Sequence, residues 1–149
     1  MKKQKLAPDA MFALALSVAK KAHRGQYDKS GKNYIHHPIT VSDMLDTPLL
    51  KTVGLLHDVV EDSDFSLSDL KNLGFSKKVI SAVDAISKRD GETYSHYVSR
   101  VKKNKIAMQV KIADATHNSD LTRIKNPSDL DKRRSGKYAE LADDLKTLI

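Results

Sequence analysis

The sequence predicts an all-α domain. Three observations carry that prediction. Apolar residues recur three and four apart through nearly every segment. The residues between those segments are helix caps, first-turn prolines and glycine stops. No run alternates polar and apolar in the manner of a strand. With no internal repeat or low-complexity linker, residues 1–149 are expected to form one domain, long enough to bury a proper core.

The elements follow in order. Pro8 suits the first turn of a helix that carries Phe12, Ala15, Leu16 and Ala19 inward, and Gly25 follows its end. Pro38 opens a short helix through Leu45. Thr47 and Pro48 are the cap and first-turn proline of a helix expected to run on through "VGLLHDVVED", residues 53–62. Ser66 and Asp69 form a capping box before "LKNLG", with Gly74 as a stop. Ser76 caps "KKVISAVDAIS"; "ETYSHYVSRVKKN" and "KIAMQVKIADATHNSDLTRI" are expected as two further helices. Asn126, Pro127 and Ser128 break the chain before a last, charged helix whose weak point is Gly136.

Composition narrows the chemistry. Hydrophobic residues at 40% and charged residues at 30% are ordinary for a soluble globular protein. There is no cysteine, which excludes disulfides, zinc ribbons and thiolate catalysis, so any metal must sit on His and carboxylate groups. No apolar run reaches membrane-spanning length, and the basic start "MKKQKLAPDA" lacks the apolar core of a signal peptide; a cytoplasmic protein without a membrane partner is expected. The net charge of +7, from 26 Lys and Arg against 19 Asp and Glu, favours an anionic partner. A basic nucleic-acid-binding module is the alternative class. Aromatics at 5% with no tryptophan offer few stacking platforms for it, so no nucleic-acid partner is expected.

The stretch at 53–62 sets an electrostatic problem. On a wheel of about 100° per residue, His57, Glu61, Asp58 and Asp62 fall at roughly 0°, 40°, 100° and 140°. Leu55, Val59, Leu56, Val60 and Val53 fill the opposite arc. Gly54 lies within the polar arc, where a missing side chain leaves room for a bound group. A solvated face is the usual explanation of such charges. The flanking "LL" and "VV" instead place the helix deep, where three carboxylates repel unless a cation lies among them. A metal needs ligands from elsewhere: "YIHHPITV" offers His36 and His37, and "KIADATHNSDL" offers Asp114 with Asn118 on the same face.

The order His37, His57-Asp58, Asp114 resembles the H…HD…D signature of HD-domain metal-dependent phosphohydrolases. The segments "AHRGQYDKSGKNYIHHPITV", "LLHDVVEDSDFSLSDL" and "VKIADATHNSDL" are similar to the hydrolase domain of RelA/SpoT alarmone enzymes and to small alarmone hydrolases. The similarity spans about residues 22–121 and implies a single HD-domain helical bundle. It implies His37, His57, Asp58 and Asp114 as ligands of Mn²⁺, with His37 preferred over His36 because it directly precedes the proline. Glu61 and Asp62 match the pair that handles the attacking water. Asn118 matches a contact to sugar or phosphate, Lys29 and Ser30 match the loop that touches the base, and Arg24 lies in the "HRGQ" segment with a phosphate-binding or structural role. Lys111, three residues before Asp114, is expected near the departing pyrophosphate with Lys29 and Arg123.

The implied activity is that of a guanosine-3′,5′-bis(diphosphate) 3′-pyrophosphohydrolase, an enzyme of stringent-response nucleotide metabolism. It would convert (p)ppGpp to GDP or GTP plus pyrophosphate. Asp28 departs from the pattern, standing where the family carries an arginine that packs on guanine. An adenosine alarmone such as ppApp, or another nucleotide, is therefore the alternative substrate. Leu121 replaces a frequent threonine, and residues 91–105 lack the family's wording. No strand-rich transferase segment is present, so alarmone synthesis is not expected. Nothing in the sequence specifies an oligomeric state.

Overall fold

The computed structural model describes residues 6–149, and the basic run at 1–5 lies outside them. Nine α-helices and a single 3₁₀ turn are found among the described residues: α1 (Pro8–Ala22), α2 (His36–Asp43), α3 (Pro48–Leu56), α4 (Val59–Asp62), α5 (Leu67–Asn72), α6 (Lys77–Ile86), α7 (Tyr94–Lys102), α8 (Lys105–Asn118), the 3₁₀ turn Leu121–Arg123, and α9 (Asp129–Lys146). The only extended pairing among them is an isolated bridge between Tyr27 and Asn33, which closes the loop between α1 and α2. The predicted all-α class is the observed one.

Helix starts lie where local chemistry puts them. Thr47, Ser66, Ser76, Thr93, Asn104 and Ser128 each accept a hydrogen bond from an amide in the first turn of α3, α5, α6, α7, α8 and α9. Ser66–Asp69 and Ser128–Asp131 are complete capping boxes. Helix α3 is the axis of the bundle, packed against α1, α2 and α8, while α9 lies along α8. Val53, Leu55 and Leu56 of α3 meet Ala15 and Ala19 of α1, Val41 of α2 and Val110 of α8 in the core cluster.

Several expectations change. In α1 the buried residues are Met11, Ala15, Val18 and Ala19; Phe12 and Leu16 pack on the core edge. Helix α2 starts at His36, two residues before Pro38, which sits in its first turn. Asn118 ends α8, and Leu121 to Arg123 form the 3₁₀ turn instead of prolonging it. Helix α9 runs through Gly136 without a break.

The largest difference is at the central stretch. The helix from Pro48 does not continue to Asp62: it ends at Leu56, His57 and Asp58 form a turn, and α4 starts at Val59. The His57 Nδ1 donates to the Gly54 carbonyl at 2.6 Å, the acceptor that the Asp58 amide would claim in an unbroken helix. The wheel drawn for one continuous helix therefore fails beyond His57. Gly54 also has another purpose. A Cβ there would lie 3.2 Å from the Ser42 Cα and 3.0 Å from the Leu45 Cδ1, so the missing side chain admits α2 and not a ligand.

A Gly54→Val substitution is expected to cost about 1–3 kcal/mol by overpacking the contact between α2 and α3, read as a lower urea midpoint with an unchanged slope.

Candidate metal centre and adjoining cavity

Three separate elements deliver the four expected ligands to one point. His37 comes from α2, His57 and Asp58 from the turn after α3, and Asp114 from α8. Their donor atoms lie within 4.8 Å of one another. The His37 Nε2 is 2.8 Å from the Asp114 Oδ1, and the His57 Nε2 is 3.2 Å from that oxygen and 3.0 Å from the Asp58 Oδ2. His37, His57 and Asp114 are buried.

The tautomers follow from the second nitrogens. Because the His57 Nδ1 donates to a carbonyl, the Nε2 of a neutral ring turns a lone pair toward two carboxylate oxygens. That arrangement is repulsive unless a proton or a cation lies between them, so the donor set fits a divalent ion. The electrostatics carry the same message. Burial would lower His57, yet Asp58 and Asp114 hold it well above the usual imidazole range. Burial would raise Asp114, yet Lys111 and His57 hold it well below the usual carboxylate range.

Other side chains fix the ligands. Lys111 Nζ donates to the Asp114 Oδ2 at 2.9 Å and lies over the Tyr97 ring, 5.3 Å from its centroid. Asn118 Nδ2 donates to the Asp114 Oδ1 at 3.0 Å. Both expected substrate contacts thus hold the Asp114 carboxylate in this structure. Three further residues escaped the sequence reading. The Tyr34 hydroxyl donates to the Asp58 Oδ2 at 2.5 Å. His117 stacks on His37 with their Nδ1 atoms 2.7 Å apart. Burial, aided by Arg123 and His37, drops His117 to about 4, so it is a neutral partner of the His37 Nδ1. His117 lies three residues after Asp114, a helical spacing that could have pointed to it.

The third is His23, buried at the end of α1. The Gln26 Nε2 donates to the Ala22 and Asp62 carbonyls, so its Oε1 must accept from the His23 Nδ1 at 2.8 Å. This chain ties the last residue of α4 to the end of α1. The sequence signal was the spacing of His23 and Gln26 within "HRGQ".

Glu61 and Asp62 sit on α4 and line a groove along residues 87–91. Glu61 Oε1 accepts from the Lys88 amide. Lost hydration of that carboxylate pushes it up to about 6, with Asp58 and Asp62 adding to the rise and the Lys88 amide opposing it. Asp62 is raised as well, by burial and then by Asp58.

Beside the metal centre lies a cavity of about 310 Å³. His37, Tyr34 and Asn118 join it to the ligand cluster, Tyr27, Tyr138, Leu121 and Ile124 give it flat and apolar walls, and Lys29, Arg123 and Arg134 supply cations. Lys29 and Ser30 are both at this cavity, each already engaged. Lys29 Nζ is 2.7 Å from the Asp131 Oδ1, and the Ser30 hydroxyl donates to the Arg123 carbonyl. Asp28 also lines it, but its Oδ1 accepts from the Ser30 and Lys32 amides and so builds the loop. Arg24 is exposed in the turn after α1 and is not among the residues lining this cavity. His36, the neighbour set aside in favour of His37, lies outside the cluster.

No family model matches the chain. It is 37% identical over 117 residues to a GTP pyrophosphokinase of Streptomyces coelicolor, covering 70% of this chain and 14% of that protein. It is 33% identical over 135 residues to the bifunctional (p)ppGpp synthase/hydrolase SpoT of Escherichia coli, covering 80% and 19%. A guanosine-3′,5′-bis(diphosphate) 3′-pyrophosphohydrolase of Haemophilus influenzae is 31% identical over 132 residues, covering 78% and 19%. The chain thus spans less than a fifth of the length of these relatives. Among solved structures, a metazoan ortholog of SpoT that hydrolyses ppGpp and plays a role in starvation responses superposes with a TM-score of 0.75 at 24% identity, over 96% of this chain and 87% of that one. That likeness shows a common fold.

Because Tyr34 holds the Asp58 carboxylate, Tyr34→Phe is expected to weaken Mn²⁺ binding about tenfold or more, measured by calorimetric titration of the metal-stripped protein.

Proposed function

For a chain that resembles the RelA/SpoT-type hydrolase domain in sequence and shares its fold, we propose metal-dependent hydrolysis of the 3′-pyrophosphate of guanosine alarmones. The products are GDP or GTP and pyrophosphate. One observation carries the proposal: the quartet His37, His57, Asp58 and Asp114 adjoins, through His37, a cavity with cationic and tyrosine-lined walls. Such walls suit a base or sugar on one side and phosphate groups on the other. A nucleotide substrate of this kind belongs to the cytoplasm, and no described helix is long and apolar enough to cross a membrane.

Two imidazoles and two carboxylates suit Mn²⁺, which would supply Lewis acidity toward a phosphoryl oxygen. The rest of the work falls to the chain. Hydrolysis joins the water oxygen to the phosphorus next to the ribose, breaks its bond to the 3′-oxygen, and needs one proton removed from water and one returned to that oxygen. Glu61 is the proton acceptor, poised close to neutrality by its surroundings. Asp62, held through its carbonyl by Gln26, orients the water beside it. Lys111 and Asn118 keep Asp114 ionised and in place. Arg134 faces the cavity as a cation for the phosphates. Lys29 serves the same end once the substrate competes with Asp131 for it.

A second substrate rests on a specific observation. Asp28 lines the cavity where that pattern has an arginine, and its Oδ1 is engaged by the Ser30 and Lys32 amides. The pocket therefore lacks the guanine contact of the pattern it resembles, and an adenosine alarmone becomes the competing substrate.

Metal-stripped protein given Mn²⁺ is expected to release pyrophosphate from ppGpp, and Asp58→Ala to release none. Greater release from ppApp supplied in parallel would reassign the base, and no release from either would overturn the proposal. The acid limb gives a second check. Glu61 acts as a carboxylate, the form that prevails above its pKa of about 6. Thus kcat/KM is expected to fall about tenfold per pH unit below that point, and Glu61→Gln to abolish the limb with a loss of about 10²–10⁴ in rate.

A further inference from the structure

Between the end of α6 at Ile86 and the start of α7 at Tyr94 the chain has no helix to hold it, yet its backbone is fastened at close intervals. The Tyr97 hydroxyl donates to the Ile86 carbonyl at 2.7 Å. Arg100 Nη2 donates to the Ser87 carbonyl at 2.6 Å. The Arg89 amide donates to the Glu92 Oε1 at 3.1 Å, and the other oxygen of Glu92 accepts from the Arg100 Nη1. The Glu92 side chain is only 5% exposed. Lys88 lies between these anchors, and its amide donates to the Glu61 Oε1.

We infer that Arg100 is a positioning residue for Glu61: from α7 it holds the backbone of residues 87–89 so that the Lys88 amide stays on the Glu61 carboxylate. The inference rests on the proposed role of Glu61 in hydrolysis. A guanidinium suits the task because it spans a carboxylate and a carbonyl at once, which an ammonium cannot do in the same geometry. Its face lies over the Tyr97 ring, 5.7 Å from the centroid, so the two side chains that grip the segment also fix each other. The Arg100 Nε is buried with no hydrogen-bond partner. The charge is thus held at a cost, as expected of a group retained for where it puts its neighbours. A backbone amide so anchored presents a donor that cannot swing away, and it favours the ionised carboxylate. Residues 91–105, which contain Arg100 and Tyr97, lie where the sequence lacks the wording of the RelA/SpoT-type pattern.

The test uses the full chain with Mn²⁺, as wild type, Arg100→Ala, Arg100→Lys and Glu61→Gln, and with each Arg100 variant combined with Glu61→Gln. Hydrogen exchange at the Lys88 amide is expected to rise about tenfold or more in Arg100→Ala while the α8 amides around Asp114 keep their protection. Pyrophosphate release from ppGpp is expected to lose about tenfold in kcat with KM and Mn²⁺ affinity unchanged. In the Glu61→Gln background the same substitution adds no further loss. Arg100→Lys keeps the cation for folding and is expected to recover less than half of the lost kcat. Unchanged Lys88 exchange in both Arg100 variants, or an equal loss of kcat with and without Glu61, overturns the inference. If the wild type releases no pyrophosphate while Lys88 exchange still answers to Arg100, the hydrolase proposal fails and the brace on Glu61 is supported.

Discussion

Asp58 and Asp114 aim carboxylate oxygens at the same point of a buried site, and much of the surrounding architecture makes that tolerable. Uncompensated charges at such depth cost several kcal/mol each. Compensation arrives from every side. His37 and His57 face the two carboxylates from α2 and from the end of α3, Lys111 pairs with Asp114 along α8, and Tyr34 donates to Asp58 from the loop. Each of these groups is then fixed by a second contact, His57 on the Gly54 carbonyl and His37 on His117. The close approach of α2 to α3 at Gly54 serves the same end, because it sets the distance at which His37 meets His57.

What the sequence disclosed depended on whether a residue's reason was local. The helical class and the caps were legible because they follow from residues within one turn of each other, as at Ser66–Asp69 and Ser128–Asp131. The His-Asp pair inside "LLHDVV" was legible as a candidate metal site because it contradicts its aliphatic surroundings, and His37 and Asp114 were joined to it through the resemblance. The break after Leu56 was not, since it comes from a side chain competing with the backbone for the Gly54 carbonyl, and periodicity does not register such a contest. Gly54 was noticed for the right reason, a space on one helix face, and given the wrong tenant. Tyr34 and the Lys88 amide act across 24 and 27 residues of chain, on Asp58 and Glu61, and neither has a local feature that distinguishes it.

The site thus has two layers of different origin. The candidate ligand cluster belongs to the bundle core, where α2, α3 and α8 are locked by apolar packing. The cavity is assembled from pieces that touch mainly through polar groups: the 28–32 loop, the 3₁₀ turn and the first half of α9. Leu141, Ala142 and Leu145 bury the far half of α9, leaving its near half to be held by contacts such as the Ser135 hydroxyl on the Ser119 carbonyl.

Asp131 gives that arrangement a particular consequence. One of its oxygens accepts from the Ser128 amide, closing the cap that starts α9, and the other takes Lys29 from a loop 102 residues earlier in the chain. A single carboxylate thereby couples a local event, nucleation of a helix end, to a long-range one, closure of a very large loop. The entropy of closing that loop grows only with the logarithm of its length, so even a solvent-facing contact can hold it while the bundle stands. The wall of the cavity is then a seam between the two ends of the fold. It opens at lower free energy than the core it borders, with fraying of α9 as its earliest sign.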